Sequence, residues 1–242
     1  MPRANRYVLP GHLLHLTHRC HDRAFLLRFG RDRNAYRSWL REGARRTRTR
    51  VLTYNITSNH VHVVAEAGSG PGVARMMQMV EGSVAGQYNR RKGRHGAFWQ
   101  GRYWGTIIES GTHLWDCLVY VDLNMVRAGV VDRPEDWRWS GCRELLGLRS
   151  RYRVVDLDRL VAVTGAASLE DFREAYRAAL GRGVARGPKR EAGWTESVAV
   201  GGREFVEEIG RGAGRRRLDI TAWDEDSPGS GRWMLKDTRD RP

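Results

Sequence analysis

The sequence predicts an α+β protein: a ferredoxin-like βαββαβ antiparallel sheet with helices on one face, plus a C-terminal helical extension. Three observations carry this. Over residues 12–110 the pattern switches between strand-like and helical spacing in the order strand, helix, strand, strand, helix, strand. Turn clusters, TSN at 57–59 and GSGPG at 68–72, punctuate the switches. From about residue 145 onward the strand patterns give way to helical stretches and then to a polar, Gly-rich segment.

The first strand is HLLHLTHR (12–19), where apolar and polar residues alternate loosely. NAYRSWLREGARRTRT (34–49) spaces Tyr36, Leu40 and Ala44 as one helical face among arginines. VLTYNI (51–56) and HVHVVAEA (60–67) are β-branched and read as a hairpin pair of strands. Residues 73–93 are helical, with Val73, Met76, Met77, Val80, Val84 and Tyr88 on one side. A loop rich in glycine and aromatics, RHGAFWQGRYW (94–104), leads to a short strand, GTIIES (105–110). GTHLWDCLVYVDLNMVRAG (111–129) is a helix with a Gly stop. Beyond it, residues 152–181 predict one or two helices, 181–193 a basic linker and 194–211 another helix. Residues 212–242 predict a flexible tail. The divisions expected are thus 1–145, 146–211 and 212–242.

Charge narrows the function. With 42 Lys and Arg against 28 Asp and Glu, the formal charge is +14 and the pI near 10.6. An excess this large points to a polyanion, with nucleic acid ahead of an anionic membrane surface. No apolar run approaches the roughly 20 residues of a membrane span. The N-terminus has no apolar core followed by a small-residue cleavage site, and the three cysteines are too few and scattered for a disulfide framework. A cytoplasmic, nucleoid-associated protein is expected.

SNHVHVV (58–64) carries the most pointed chemistry. Side chains at i and i+2 of a strand share a face, about 7 Å apart at the backbone. His60 and His62 can therefore converge on one divalent ion, while Val61 and Val63 turn to the core. A pair of histidines satisfied by water or carboxylates on an exposed sheet face is the plainer reading. In LVYVDLNMV (118–126), Tyr120 and Asn124 sit at i and i+4 on one helical face. A tyrosine hydroxyl beside a metal-bound phosphodiester can attack phosphorus, and an amide oxygen suits a hard cation. Packing for the tyrosine and surface polarity for the asparagine remain open alternatives.

SNHVHVV followed by YVDLNMVRAGVVDRPEDWRWSG resembles the REP-associated tyrosine transposases, a branch of the single-tyrosine HUH transposase superfamily. GHLLHLTHRCHDR (11–23), MMQMVEGSVAGQYNRRKGR (76–94) and GAFWQGRYWGTII (96–108) resemble the family's opening strand, long helix and Trp-Gln segment, in the right order over roughly residues 1–145. The resemblance implies that residues 1–145 form the catalytic domain. It implies a metal site of His60, His62 and Asn124 using Mg²⁺ or Mn²⁺. It also implies Tyr120 as nucleophile on single-stranded DNA with hairpin or palindromic repeats, forming a 5′-phosphotyrosine link and a free 3′-hydroxyl. The active unit is then a monomer or a homodimer. Asp122 and Met125 stand where the family pattern usually has His and Pro, and Thr57-Ser58 where it has Met-Pro.

Arg45, Arg46, Arg48 and Arg50 close the first helix, and Arg90, Arg91, Lys92 and Arg94 close the second. Both clusters suit phosphate contact, as against solvated helix ends. Trp99, Gln100 and Arg102, with Phe98, Tyr103 and Trp104, would either stack on unpaired bases or cover the sheet edge. Arg127 would hold a phosphate or pair with an acid. His12, His15, His18 and His21 recur every third residue, so on a strand they alternate faces and cannot converge; His15 and Arg19 would line the face near His60. Two other functions compete: a DNA-binding protein of the same fold without chemistry, and a metal hydrolase, since HxH also opens amidohydrolase sites. The latter needs a barrel of roughly 250 residues.

Overall fold

The structure, a computed structural model, describes residues 8–68, 72–214, 217–223 and 231–238. Its first six elements follow the expected order: β1 (Leu13–Arg19), α1 (Gly30–Thr47), β2 (Arg50–Ile56), β3 (His60–Glu66), α2 (Gly72–Lys92) and β4 (Trp104–Ile108). Then come α3 (Thr112–Asp122), α4 (Asn124–Arg127), α5 (Cys142–Leu145), α6 (Leu157–Thr164), α7 (Leu169–Ala185), α8 (Gly193–Glu196), β5 (Ala199–Gly201), α9 (Arg203–Gly212), β6 (Leu218–Ala222) and β7 (Trp233–Asp237). One sheet takes all the strands in the order β2-β3-β1-β4-β5-β7-β6. The β2-β3-β1-β4 portion is antiparallel throughout, as the ferredoxin-like pattern requires. The sheet is open and mostly antiparallel, so the parallel barrel that an amidohydrolase needs is absent from the described residues.

Alternation along β1 sorts the two faces. Leu14, Leu16 and His18 face α1 and α2, where His18 Nδ1 lies 2.8 Å from Glu81. Apolar residues of both helices, Tyr36, Leu40, Met76, Met77 and Val80, are buried there. The opposite face carries His15, Thr17 and Arg19 of β1, His60 and His62 of β3, and Thr53 and Asn55 of β2, by the strand register. Here α3 lies across the sheet. Asn55 donates to the Val121 carbonyl at 3.0 Å, and Leu114, Leu118 and Val121 are fully buried. Each of those apolar side chains contributes about 1.5–3 kcal/mol. Helix α7 backs α3: the Tyr176 hydroxyl donates to the Asp122 carboxylate at 2.6 Å, and Trp115 stacks on Phe172 at 5.0 Å.

The C-terminal third departs from the sequence reading. The helix expected over 194–211 is broken by β5, which adds in parallel to the open edge of β4. Ile107 donates to the Val198 carbonyl and Glu109 to that of Val200. The segment read as a flexible tail supplies β6 and β7, which extend the sheet beyond β5. Met234 and Leu235 are buried in it. The short alternations LDITA and WMLKD are hidden in a composition dominated by Gly, Asp and Arg, and each strand is ordered by the edge it joins. The extension is therefore helix and strand together. Among the described residues no helix is long and apolar enough to cross a membrane.

Candidate active site

His60, His62, Tyr120 and Asn124 come together on one cavity of about 640 Å³ at the end of the sheet where β1 finishes and β3 begins. Strand register delivers the histidines, opposite Arg19 and Thr17. Helical spacing delivers the other pair, with one difference: Leu123 (φ −77, ψ 1) separates α3 from α4. The bonds Leu123 N to Val119 O and Arg127 N to Leu123 O carry the helical path through this break, so Tyr120 and Asn124 still face the same space.

A hydrogen-bond chain sets the histidine tautomers. The Trp194 carbonyl can only accept, so His15 donates to it from Nδ1 at 2.9 Å. His15 Nε2 is then an acceptor, and takes the proton on His62 Nδ1 at 2.8 Å. His62 Nε2 is thereby left with its lone pair, 3.0 Å from the Asn124 amide. His60 follows the same logic: its Nδ1 lies 2.8 Å from Asn59 Oδ1 and 3.0 Å from Thr57 Oγ1, and its Nε2 is 3.5 Å from the Asn124 amide. Burial pushes His60 and His15 down to about 4 and His62 well below its ordinary value, with Arg19 and Arg127 adding to the shift at both His60 and His62. All three imidazoles are neutral at pH 7. Two Nε2 lone pairs and an amide oxygen, once the Asn124 amide turns its oxygen inward, fit a divalent cation with coordination positions left for phosphate oxygens and water. Among the described residues no cluster of three His, Cys, Asp or Glu side chains offers another such site.

Tyr120 is 6% exposed, with its ring centroid 6.3 Å from His62 and 6.0 Å from Trp194. Burial raises its phenol, and the Arg127 guanidinium, 4.0 Å over the ring, opposes that rise. Arg127 donates to the Tyr120 carbonyl at 2.7 Å, while its Nη2 is buried with no hydrogen-bond partner. Arg19, Gln100 and Arg102 line the same cavity, and Gln100 N bonds the Arg19 carbonyl at 2.8 Å.

The remaining sequence candidates lie elsewhere. Trp99 packs its ring on His18 at 4.5 Å and donates to the Glu81 carbonyl. Arg91 pairs with Asp32, Lys92 lies over Phe29, Arg94 folds its own loop through Asn89 and Ala97, and Arg90 is exposed. Arg46 pairs with Glu42, Arg50 lies 3.8 Å from Glu66, and Arg48 is exposed at the end of α1. Of the spaced histidines His15 alone bonds a site imidazole; His18 borders the cavity, but its ring turns to Glu81 and Trp99 on the other face of the sheet. The sequence reading did not reach Pro188, Arg190, Thr195 and Glu196, which form one wall of the cavity, or the Trp194 carbonyl. A backbone carbonyl has no sequence signature. His15 did have one, since residues 15, 17 and 19 form a polar series on a single strand face.

Asp122 explains the departure from the family pattern noted above. It is fully buried, accepts from Tyr176 at 2.6 Å, lies 3.3 Å from Thr53 Oγ1, and so binds α3 to α7 and β2 at once.

Residues 9–121 match the model of the IS200-like transposase family. That stretch contains β1 through Tyr120, the strand histidines included. A solved REP-associated tyrosine transposase bound to a REP hairpin shares this fold, with a TM-score of 0.52 at 18% identity, over 64% of this chain and 90% of that one. A Deinococcus radiodurans protein classed as a transposase aligns over 43% of this chain and 84% of its own, at 15% identity and a TM-score of 0.34. No curated protein matches the chain.

Proposed function

We propose that this transposase cleaves and rejoins single-stranded DNA beside a hairpin, through a covalent link to Tyr120. The observation that carries the reading is the convergence of Tyr120, His60, His62 and Asn124 on one arginine-lined cavity within a single chain. The hairpin bound by the solved relative of the same fold supports a hairpin as the substrate. One chain supplies both the tyrosine and the histidines, so a monomer suffices.

His60 Nε2, His62 Nε2 and the Asn124 amide oxygen would hold Mg²⁺ or Mn²⁺, which when bound acts as a Lewis acid on the scissile phosphate. The unpartnered Arg127 Nη2, with Arg19 and Arg102, receives phosphate oxygens. Arg127 also favours the phenolate of Tyr120 against its burial. Tyr120 Oη attacks phosphorus in line, the bond from phosphorus to the 3′ oxygen breaks, and the 3′-hydroxyl leaves with a proton. Attack by a 3′-hydroxyl on the phosphotyrosine reverses the step and joins strands. Arg48, Arg50 and Arg90 do not line this cavity, so they take no part in the step at phosphorus.

One observation favours DNA binding without chemistry: Tyr120 is nearly covered, with Trp194 tilted against it. Covalent capture separates the two. A labelled hairpin with a single-stranded 5′ flank is incubated with Mn²⁺ and run on a denaturing gel. A protein–DNA band that disappears in Tyr120→Phe, in His60→Ala and with chelator supports the tyrosine reaction. Cleavage surviving Tyr120→Phe sinks the nucleophile assignment, and tight binding with no product supports the binding-only alternative.

A further inference from the structure

We propose that a second, remote groove holds the duplex stem of the DNA whose single-stranded part enters the tyrosine cavity; this rests on the reading that the chain acts on hairpin DNA. The groove, about 450 Å³, lies between the end of α1, the start of β2 and residues 153–156. Arg41, Arg45, Arg48, Arg50 and Arg153 line it, with Asp156 the only acid among its lining residues. Asp156 is already engaged, accepting from the backbone N–H of Arg159 at 3.0 Å as the cap of α6. Arg45 is tied to Glu42, and Arg50 approaches Glu66, which Arg159 already grips with two bonds. Arg48 and Arg153 make no ion pair or side-chain hydrogen bond among the described residues, and both are exposed. Such uncompensated guanidinium groups, with no carboxylate free to answer them, match a phosphodiester backbone.

A second observation singles out this place. Arg48 (φ 52) and Tyr152 (φ 53) are two of the four non-glycine residues with positive φ in the described chain; Arg48 lines this groove, and Tyr152 immediately precedes Arg153, which lines it too. The left-handed region is costly for arginine and tyrosine, and such residues gather at functional sites. The other two, Asp22 and Arg23, follow β1 at the catalytic end. The Arg41 guanidinium lies 5.6 Å over the Tyr152 ring, holding the rim together. A duplex is favoured over a single strand because none of the lining residues is aromatic, and the one ring at the rim, Tyr152, is already covered on one face by the Arg41 guanidinium.

Geometry sets a length requirement. Arg50 pairs with Glu66 at the far end of β3, whereas His60 opens that strand at the catalytic end. Six residues at about 3.3 Å each separate them by roughly 20 Å. That distance corresponds to roughly six base pairs at about 3.4 Å each.

The test uses the full chain and hairpins with one common 5′ flank and stems of about four and about twelve base pairs, shorter and longer than that span. Binding is followed by fluorescence anisotropy across a salt series for the parent and for Arg48→Gly/Arg153→Ser. Glycine suits the left-handed position and Arg153 is exposed, so the fold is preserved, and a thermal melt checks this. The expected result is a roughly ten-fold weaker affinity for the long stem, with the salt slope reduced by about two, and no change for the short stem. No loss on the long stem overturns the proposal. An equal loss on both stems and on the isolated flank also overturns it, and assigns the groove to single strand. Covalent capture by the parent on the same probes reports the Tyr120 chemistry separately. Stem-dependent binding lost in the variant, with no capture by the parent, would uphold the groove and reject the chemistry.

Discussion

Replacing His15 tests whether the hydrogen-bond chain from Trp194 to His62 prepares the proposed cation site. His15→Leu fills the space but removes the donor to the Trp194 carbonyl and the acceptor for His62 Nδ1–H, bonds of 2.9 and 2.8 Å among fully buried groups. His62 is then free to move its proton to Nε2 and to rotate, and either change removes a ligand lone pair. Loss of such an outer partner weakens metal affinity about 10–100-fold, or about 1.4–2.7 kcal/mol. The two orphaned buried groups cost a further 1–3 kcal/mol each in stability, as an approximate range. His15→Gln restores both bonds in principle, because a neutral amide donates and accepts at once, as the imidazole does here. The assay is calorimetric Mn²⁺ titration of the full chain without DNA, paired with urea unfolding. The expected order of affinity is parent, then Gln close behind, then Leu. A folded His15→Leu protein that binds Mn²⁺ as tightly as the parent would refute the relay. Equal weakness of Gln and Leu would show that ring packing, and not hydrogen bonding, is what His15 supplies.

Asp122→Asn should change the pH dependence of stability. Burial holds the Asp122 carboxyl at about 7, far above its unfolded value, so the folded chain binds the extra proton between about pH 4 and 7. Stability from this group is therefore greatest below that window and lost as pH rises through it. Relative to the parent, the variant should gain about 4 kcal/mol between pH 4 and pH 8 in urea unfolding; a difference that stays flat with pH rejects the assignment. Glu144 is fully buried and accepts from Tyr54 at 2.7 Å and from the backbone N–H groups of Val154 and Val155. Glu144→Ala should cost about 3–5 kcal/mol in urea unfolding, and a loss below about 1 kcal/mol would contradict that network. Gly183 lets α7 approach α3 closely: a Cβ there would sit 2.5 Å from Leu123 Cδ1. Gly183→Ala should destabilise by about 1–3 kcal/mol despite alanine's helix preference, with Leu123→Val as partial rescue; a more stable Gly183→Ala protein would show that the helices give way freely.

Much of the site was legible before folding because its geometry is local. Two histidines at i and i+2 share a strand face whatever surrounds them, and Tyr120 and Asn124 share a helical face by spacing alone. The βαββαβ order was equally readable, since each element declares its own apolar period. What the sequence could not carry is pairing between distant segments. The short alternations LDITA and WMLKD are too brief to make a strand alone; the open edge of β4 does, through β5, by supplying backbone partners that these residues cannot find within themselves. The same physics hid the cavity's far wall, because Pro188 and Arg190 reach the cavity, and the Trp194 carbonyl meets His15, only after the C-terminal region has docked. Asp122 reads in sequence as an acid in a helix, and only the fold shows it buried between Tyr176 and Thr53. The arginines of α1 divide in the same way. Their number was visible at once, but which are held by Glu42 and which line an open groove with Arg153 was decided by the side chains that folding brought beside them. Residue type and spacing thus determined which chemical groups were on offer, and tertiary contacts decided which of them were neutral, oriented and left unpaired.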